Sequence, residues 1–337
     1  MADLSVNYLG LDLKNPLVPS ASPLTRSLDS AKHLEDNGAA AVVMYSLYEE
    51  QIVAEEHRYD RFLEHQALGH GEASSFLPEH PAHKSSLEQY LDQLHGLKQS
   101  LEIPVIASLN GTTEAGWIDF ATLIEEAGAD ALELNIYYVA GNPAESAAAI
   151  EQRYVDVLKH LSDKVRIPIA VKLSSQFTSP LHMVGQLQQA GAAGVVIFNR
   201  FYQSDINLEE LMVEPHLELS KRYESLLRIR WAAMIRGNFD VDLALTGGFH
   251  DSDDMIKGLL AGANSIQLAS VLLQNGPERL ADLLSEMNDW LDEHEYESVR
   301  QMAGSMAINR TNDPSAYERH DYLAVLDSFK PPPGVRY

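Results

Sequence analysis

The chain contains no cysteine. That excludes disulfides, a thiolate nucleophile and any iron–sulfur cluster held by the chain's own thiolates. Positive charge is scarce: 25 Lys and Arg stand against 49 Asp and Glu, a formal net charge of −24. A surface of that sign repels phosphate backbones and anionic headgroups, so capture of nucleic acid or a membrane by bulk charge is not expected. A local basic pocket can still hold one anionic ligand. There is no uninterrupted apolar run of about 18 residues, the length a spanning helix needs. The opening Met1-Ala2-Asp3-Leu4-Ser5 lacks the basic region and apolar stretch of a signal peptide. The expectation is a cytoplasmic protein acting on a small molecule. What the chain does have is apolar material, 45% of its residues, enough for a large core.

That material is distributed in short runs: Leu17–Ser22, Ala39–Ser46, Pro104–Asn110, Ala131–Tyr138, Pro168–Ser174, Gly194–Asn199, Asp242–Gly248 and Ser265–Ser270. Each is nearly continuous in apolar character, the pattern of parallel strands buried on both faces. Amphipathic stretches lie between them. In Trp117–Ala127, the residues Phe120, Leu123, Ile124 and Ala127 share one helical face. Four such stretches stop on a glycine just before the next run, at Gly38, Gly128, Gly191 and Gly262. An open doubly wound sheet would usually carry a glycine-rich loop after its first strand, and Ser20-Ala21-Ser22-Pro23-Leu24-Thr25 has no glycine. The pattern therefore predicts one α/β domain over residues 1–337, a (β/α)8 TIM barrel spanning about 15–300. A hairpin within Leu4–Leu13 would plug its bottom. Long loops at 47–84 and 201–222, after strands 2 and 6, would emerge at the catalytic face, and a tail at 312–337 would lie over the surface.

In such a barrel the C-terminal strand ends carry function. Here they supply Asn110, Asn135, Lys172 and Asn199 on the third to sixth strands. Buried amides and an ammonium need partners, since each left unpaired costs about 1–3 kcal/mol. They either bond one another and nearby backbone or converge on a planar polar ligand. The last two strands end in Thr246-Gly247-Gly248 and Ala269-Ser270, where backbone N–H groups can approach a phosphate.

The motifs Asn15-Pro16-Leu17, Leu132-Glu133-Leu134-Asn135, Ala170-Val171-Lys172-Leu173, the Asn199 strand end, Leu245-Thr246-Gly247-Gly248 and Ala261-Gly262-Ala263 resemble, in order and spacing, the dihydroorotate dehydrogenase family of FMN-dependent barrels. The likeness is greatest to its cytosolic class 1 branch. The resemblance implies FMN as cofactor and hydride transfer between flavin N5 and a small planar substrate, dihydroorotate or a related CH–CH compound. Ser20 and Ala21 would lie against the flavin, and Lys172 beside its N1–O2 edge. Asn110 and Asn135 would bind flavin or substrate edges, and Asn199 the substrate. Thr246, Gly247, Gly248, Ala269 and Ser270 would cradle the FMN phosphate. A homodimer is implied by the resemblance alone, and the electron acceptor is not named by the sequence.

The departures are equally specific. At the position of the family's catalytic Cys or Ser stands Tyr138, either a base or an aromatic lid. Ala140 replaces a substrate-binding Asn, Tyr45 stands where a lysine is expected, and Leu219-Ser220-Lys221-Arg222-Tyr223 lacks the Gly-Gly pair expected before the sixth helix. The alternative function is a flavin- or phosphate-binding barrel with altered catalysis and a regulatory role. His57, His65, His70, His80 and His83 include one metal-like spacing, His80-x-x-His83, but no metal is expected of a Gly- and Pro-containing segment without cysteines. Glu49 and Glu50 follow strand 2 as a solvated helix start or catalytic pair, and Arg228 and Arg230 are expected to be structural.

Overall fold

The computed structural model describes residues 2–55, 57, 84–111, 114–200, 202–318 and 322–331. The chain opens with an antiparallel pair, β1 (Val6–Tyr8) and β2 (Leu11–Leu13), turning through Leu9 and Gly10 at φ 56° and 73°. This is the expected hairpin. The Leu9 N–H donates to Asp242 Oδ2 at 2.6 Å, and Asn264 Nδ2 donates both to Asn7 O and to Asp242 Oδ1 at 3.0 Å. The hairpin is thereby moored across the entry ends of two later strands.

Those later strands form the barrel. They are β3 (Leu17–Pro19), β4 (Val42–Val43), β6 (Val105–Asn110), β7 (Ala131–Asn135), β8 (Ile169–Ser174), β9 (Gly194–Asn199), β12 (Asp242–Thr246) and β13 (Ser265–Leu268). All neighbours are parallel, in the order β3-β13-β12-β9-β8-β7-β6-β4. The Ala40 N–H donating to Leu17 O at 3.1 Å links β3 to the approach of β4 and nearly closes the circuit. A short β5 (Leu47–Tyr48) continues the second position and pairs with Leu109 and Asn110. The first, second, fourth, seventh and eighth apolar runs extend past their strands. Their final residues therefore lie beyond the strands, with Ser270 already opening the helix Ser270–Asn275.

Helices cover the barrel. Ser86–Ser100 begins with a capping box: Ser85 Oγ accepts from the Glu88 N–H at 3.2 Å, and Glu88 accepts from the Ser85 N–H at 2.8 Å. It buries Tyr90, Leu94 and Leu97 against the strands. In Glu114–Glu126 the buried face is Trp117, Ala121 and Ile124, and Leu123 is exposed. The face is rotated from the one expected because apolar residues occupy most of that helix, so periodicity alone does not fix which of them are buried.

Of the two long loops, the second forms an exposed antiparallel hairpin, β10 (Ser204–Asn207) with β11 (Met212–Pro215). In the first, residues 49–55 are helical, and His65, His70, His80 and His83 lie outside the described residues. Among the described residues, no helix is long and apolar enough to cross a membrane, and no group of three or more His, Asp or Glu is arranged to hold a metal. In the tail, Arg230 Nε donates to Tyr317 O at 2.7 Å, tying it to the helix Ser225–Asn238, the structural role expected of that arginine.

The glycine helix stops have a steric cause. At Gly262, φ is 122°, and an added Cβ would lie 2.3 Å from Arg236 Cγ. Gly262→Ala should therefore lower the unfolding free energy by about 1–3 kcal/mol. Urea denaturation checks this, and an unchanged midpoint would refute the steric account.

Candidate active site

Two residues inside β7 and β8, and two near the ends of β3 and β13, share one layer of the barrel interior. Side chains alternate along a strand, so Glu133 points inward with Asn135, and Asn135 pairs in register with Lys172. Lys172 Nζ donates to Glu133 Oε1 at 2.9 Å and to Ser20 Oγ at 3.3 Å. Gln267 Nε2 donates to Glu133 Oε2 at 2.8 Å, and Ser20 Oγ donates to Gln267 Oε1 at 3.4 Å. The four side chains thus close a ring of hydrogen bonds. In the strand order, β7 faces β13 and β8 faces β3 across the barrel, so the ring spans its diameter.

Burial makes this ring obligatory. The Glu133 and Lys172 side chains are 1% and 7% exposed, and either charge without the other would be left in a poorly solvated interior. An ammonium has three donors; two are used here, and Lys172 also lines the space above the ring. Lys172 does not end its strand as the sequence reading placed it, because β8 runs on to Ser174, with a register shift between Leu173 and Ser174. Its depth is what brings it within reach of Glu133.

Above the ring the space has two lobes, sharing Ala21, Lys172, Asn199 and Tyr202. One, of about 290 Å³, is walled by Ser20, Thr246, Gly247, Gly248, Ala269 and Ser270. Gly247 and Gly248 have φ of 89° and 92°, and a Cβ on Gly248 would sit 2.4 Å from Ser225 N. Only glycine permits this close pass. The Gly248 N–H donates to Ser220 Oγ at 3.1 Å, while Ser220 donates from Oγ to Ser270 Oγ at 2.8 Å and from N to the same atom at 3.1 Å. Ser220 therefore stands where a glycine pair was sought in sequence. Arg228, buried beneath, donates to Thr246 O at 3.0 Å and to Glu224 O at 2.8 Å, so its role is structural. Arg200 is on the wall, its Nε 3.1 Å from Glu224 Oε2. This lobe offers hydroxyls and backbone donors to an anion.

The other lobe, of about 460 Å³, is walled by Asn110, Asn135, Asn199, Tyr48, Tyr137 and Glu50, among others. Asn199 Nδ2 donates to Asn135 Oδ1 at 2.9 Å, so those two amides partly satisfy one another. The Tyr137 hydroxyl accepts the Tyr202 N–H at 3.1 Å. Tyr138 stands apart from both walls. Its hydroxyl donates to Glu145, the Arg153 guanidinium lies 4.4 Å over its ring, and Arg153 donates to Glu145 at 2.7 Å. Those bonds, from Tyr138 first and then Arg153, hold the Glu145 carboxyl below its usual range. Tyr45 packs edge-on to Tyr90 at 5.2 Å and lines neither lobe.

Eleven of the twelve residues assigned to the site from sequence, all but Tyr138, line these lobes, and Glu133, Gln267, Ser220, Tyr48 and Tyr137 were missed as site groups. A signal existed for two of them. Glu133 lies two residues before Asn135, on the same face, and Gln267 is a polar residue inside an apolar strand.

The ring makes a prediction about stability. Glu133→Ala should lower the unfolding free energy by about 3–5 kcal/mol, the cost of stranding a buried charge, whereas Glu133→Leu with Lys172→Met should cost less. Urea titrations of both decide it. A double variant weaker than the single would show that the pair is not mutually dependent.

The dihydroorotate dehydrogenase family model matches residues 3–291. The chain is 23% identical over 307 residues to the dihydroorotate dehydrogenase B (NAD(+)) catalytic subunit of Thermoplasma acidophilum, covering 90% of this chain and 99% of that one. It is 24% identical over 324 residues to the NAD-dependent dihydropyrimidine dehydrogenase subunit PreA of Escherichia coli, covering 90% and 76%. The chloroplastic dihydropyrimidine dehydrogenase (NADP(+)) of Arabidopsis thaliana is 22% identical over 333 residues, with the same shares. With a parallel barrel, a lysine-centred site at its catalytic face and this match along most of its length, the chain belongs to the dihydroorotate dehydrogenase family and is an oxidoreductase acting on CH–CH groups.

Proposed function

We propose that the protein is an FMN-dependent dehydrogenase that moves a hydride between flavin N5 and a carbon of a small planar substrate, dihydroorotate or a related CH–CH compound. The observation that carries this reading is the Ser20–Gln267–Glu133–Lys172 ring, which leaves one ammonium donor of Lys172 available where the two lobes meet. The donor set suits FMN: the Ser270 hydroxyl, which accepts from Ser220 and keeps its own proton, and the closely approaching Gly247-Gly248 backbone with Arg200 on the same wall for a phosphate, then Ser20, Ala21 and Lys172 for a polar ring. FMN, when bound, supplies the hydride chemistry at N5. Lys172 provides a fixed positive charge beside the ring, matched in the resting protein by Glu133. Asn110, Asn135 and Asn199 orient the substrate edge. The proton is handled by Tyr137, on the wall of the asparagine-lined lobe (the ring-side lobe), while the phenol of Tyr138 is committed to Glu145. Tyr138 then fixes the loop that carries Tyr137. That commitment of Tyr138 is also what favours the second reading, a flavin-binding barrel with altered catalysis.

Two measurements separate these readings. Absorption bands near about 370 and 450 nm that bleach on anaerobic addition of dihydroorotate support the enzyme acting on that compound. Bands that stay unbleached point to another substrate, and a colourless protein that cannot be loaded with FMN removes the flavin reading. On a substrate that does bleach the flavin, Tyr137→Phe should slow reduction about 100-fold or more and Tyr138→Phe by only a few fold. The reverse order would return the proton to Tyr138.

A further inference from the structure

The charge on the walls of the ring-side lobe restricts what can enter it. Lys172 is its one cationic wall residue among the described residues, and Glu133 at 2.9 Å balances that charge. The other ionic group on the wall is an acid, Glu50. The remaining polar wall is uncharged: amides of Asn110, Asn135 and Asn199 and phenols of Tyr48 and Tyr137. Burial pushes the Tyr48 phenol above its usual range, reinforced by Tyr202, Glu50 and Tyr137 and opposed by Arg26, so that phenol stays protonated at ordinary pH. Arg26 itself is exposed, lies 5.4 Å over the Tyr45 ring and is not part of the wall. Ala140, where the family resemblance called for a substrate-binding amide, is exposed and also off the wall.

We infer that this lobe takes an uncharged ring with amide- or imide-type edges and discriminates against the same ring bearing a carboxylate. A carboxylate entering here would give up water for amide and phenol donors, with Glu50 on the wall and, among the described residues, no cation on the wall other than the compensated Lys172. An uncharged imide meets what the wall offers: a free Lys172 N–H for a carbonyl, and amide groups that both donate and accept. The inference rests on reading the ring-side lobe as the substrate site. It adds to that reading a selection by charge that the barrel and its cofactor do not require.

Uracil and orotate differ by one carboxylate and serve as the probe pair. Each is titrated calorimetrically into the purified protein, with flavin bound if the protein carries it. The expected result is uracil binding about tenfold or more tighter than orotate. Glu50→Lys, which places a cation on the wall, should shift that ratio at least several-fold toward orotate, and its flavin absorbance and thermal midpoint report whether it is folded. Orotate binding as tightly as uracil to the unaltered protein would overturn the inference. So would a ratio that Glu50→Lys leaves unmoved in a folded variant, or the absence of binding by both probes. A colourless protein that nonetheless prefers uracil would refute the flavin reading while sustaining the charge selection, so the two fail separately.

Discussion

The Lys172–Glu133 ion pair lies at the centre of the barrel, and its depth constrains the parts around it. Neither side chain can be satisfied by water, so each must be satisfied by protein, and the two strands that carry them are neighbours. The carboxylate has a second oxygen, which Gln267 fills from the opposite strand, and the ammonium has a second donor, which Ser20 accepts from the end of β3. Satisfying one pair therefore recruits residues separated by as many as 247 positions in sequence. The ring also separates the interior into a packed lower part, closed by the Val6–Leu13 hairpin, and an open upper part.

The two lobes above the ring differ in how they deal with charge. At the glycine end, Arg200 and Arg228 both approach Glu224, at 3.1 and 3.7 Å, so two guanidiniums share one carboxylate and one positive charge is left over. An anion there is met by hydroxyls and backbone dipoles. These act only at short range and in one orientation, and that orientation is set by the passage of Gly247-Gly248 against the start of the helix Ser225–Asn238. At the ring end the ammonium of Lys172 is present but compensated. The ring end is thus close to neutral and the glycine end carries the surplus positive charge, in a chain whose formal charge is −24.

How much of this could be read from the sequence follows from periodicity. The barrel was legible because strands buried on both faces give continuous apolar runs, and because helix stops before strands need a left-handed residue. The lobe-lining residues at strand ends were legible because the fold specifies which end of a strand carries function. Glu133 and Gln267 were not assigned, since a search for apolar runs treats a polar residue inside a strand as an interruption, although spacing from Asn135 marks the first of them. Tyr137 and Tyr138 show the sharper limit. They follow the end of β7, where the strand's alternation no longer fixes direction, and adjacent residues diverge into different surroundings: one onto the lobe wall, the other onto Glu145 and Arg153. Ser220 was out of reach for another reason. Its position relative to Ser270 and Gly248 depends on the path of a long loop, and no local pattern specifies that path.

A compensated site also bears on catalysis. An uncompensated ammonium would attract any anion in solution and hold it in the resting state, where the attraction does nothing for the rate. A lysine whose charge is already matched by Glu133 has little pull on a ground-state ligand at a distance. In the proposed reaction, negative charge developing on a bound ring would meet the third ammonium donor of Lys172 already held in place by Glu133 and Ser20. The stabilisation would then be realised as charge forms. Fixing Lys172 through Glu133, and Glu133 through Gln267, converts a flexible four-carbon side chain into a rigid donor. The rigidity comes from the barrel itself, because each link in the ring is held by a different strand.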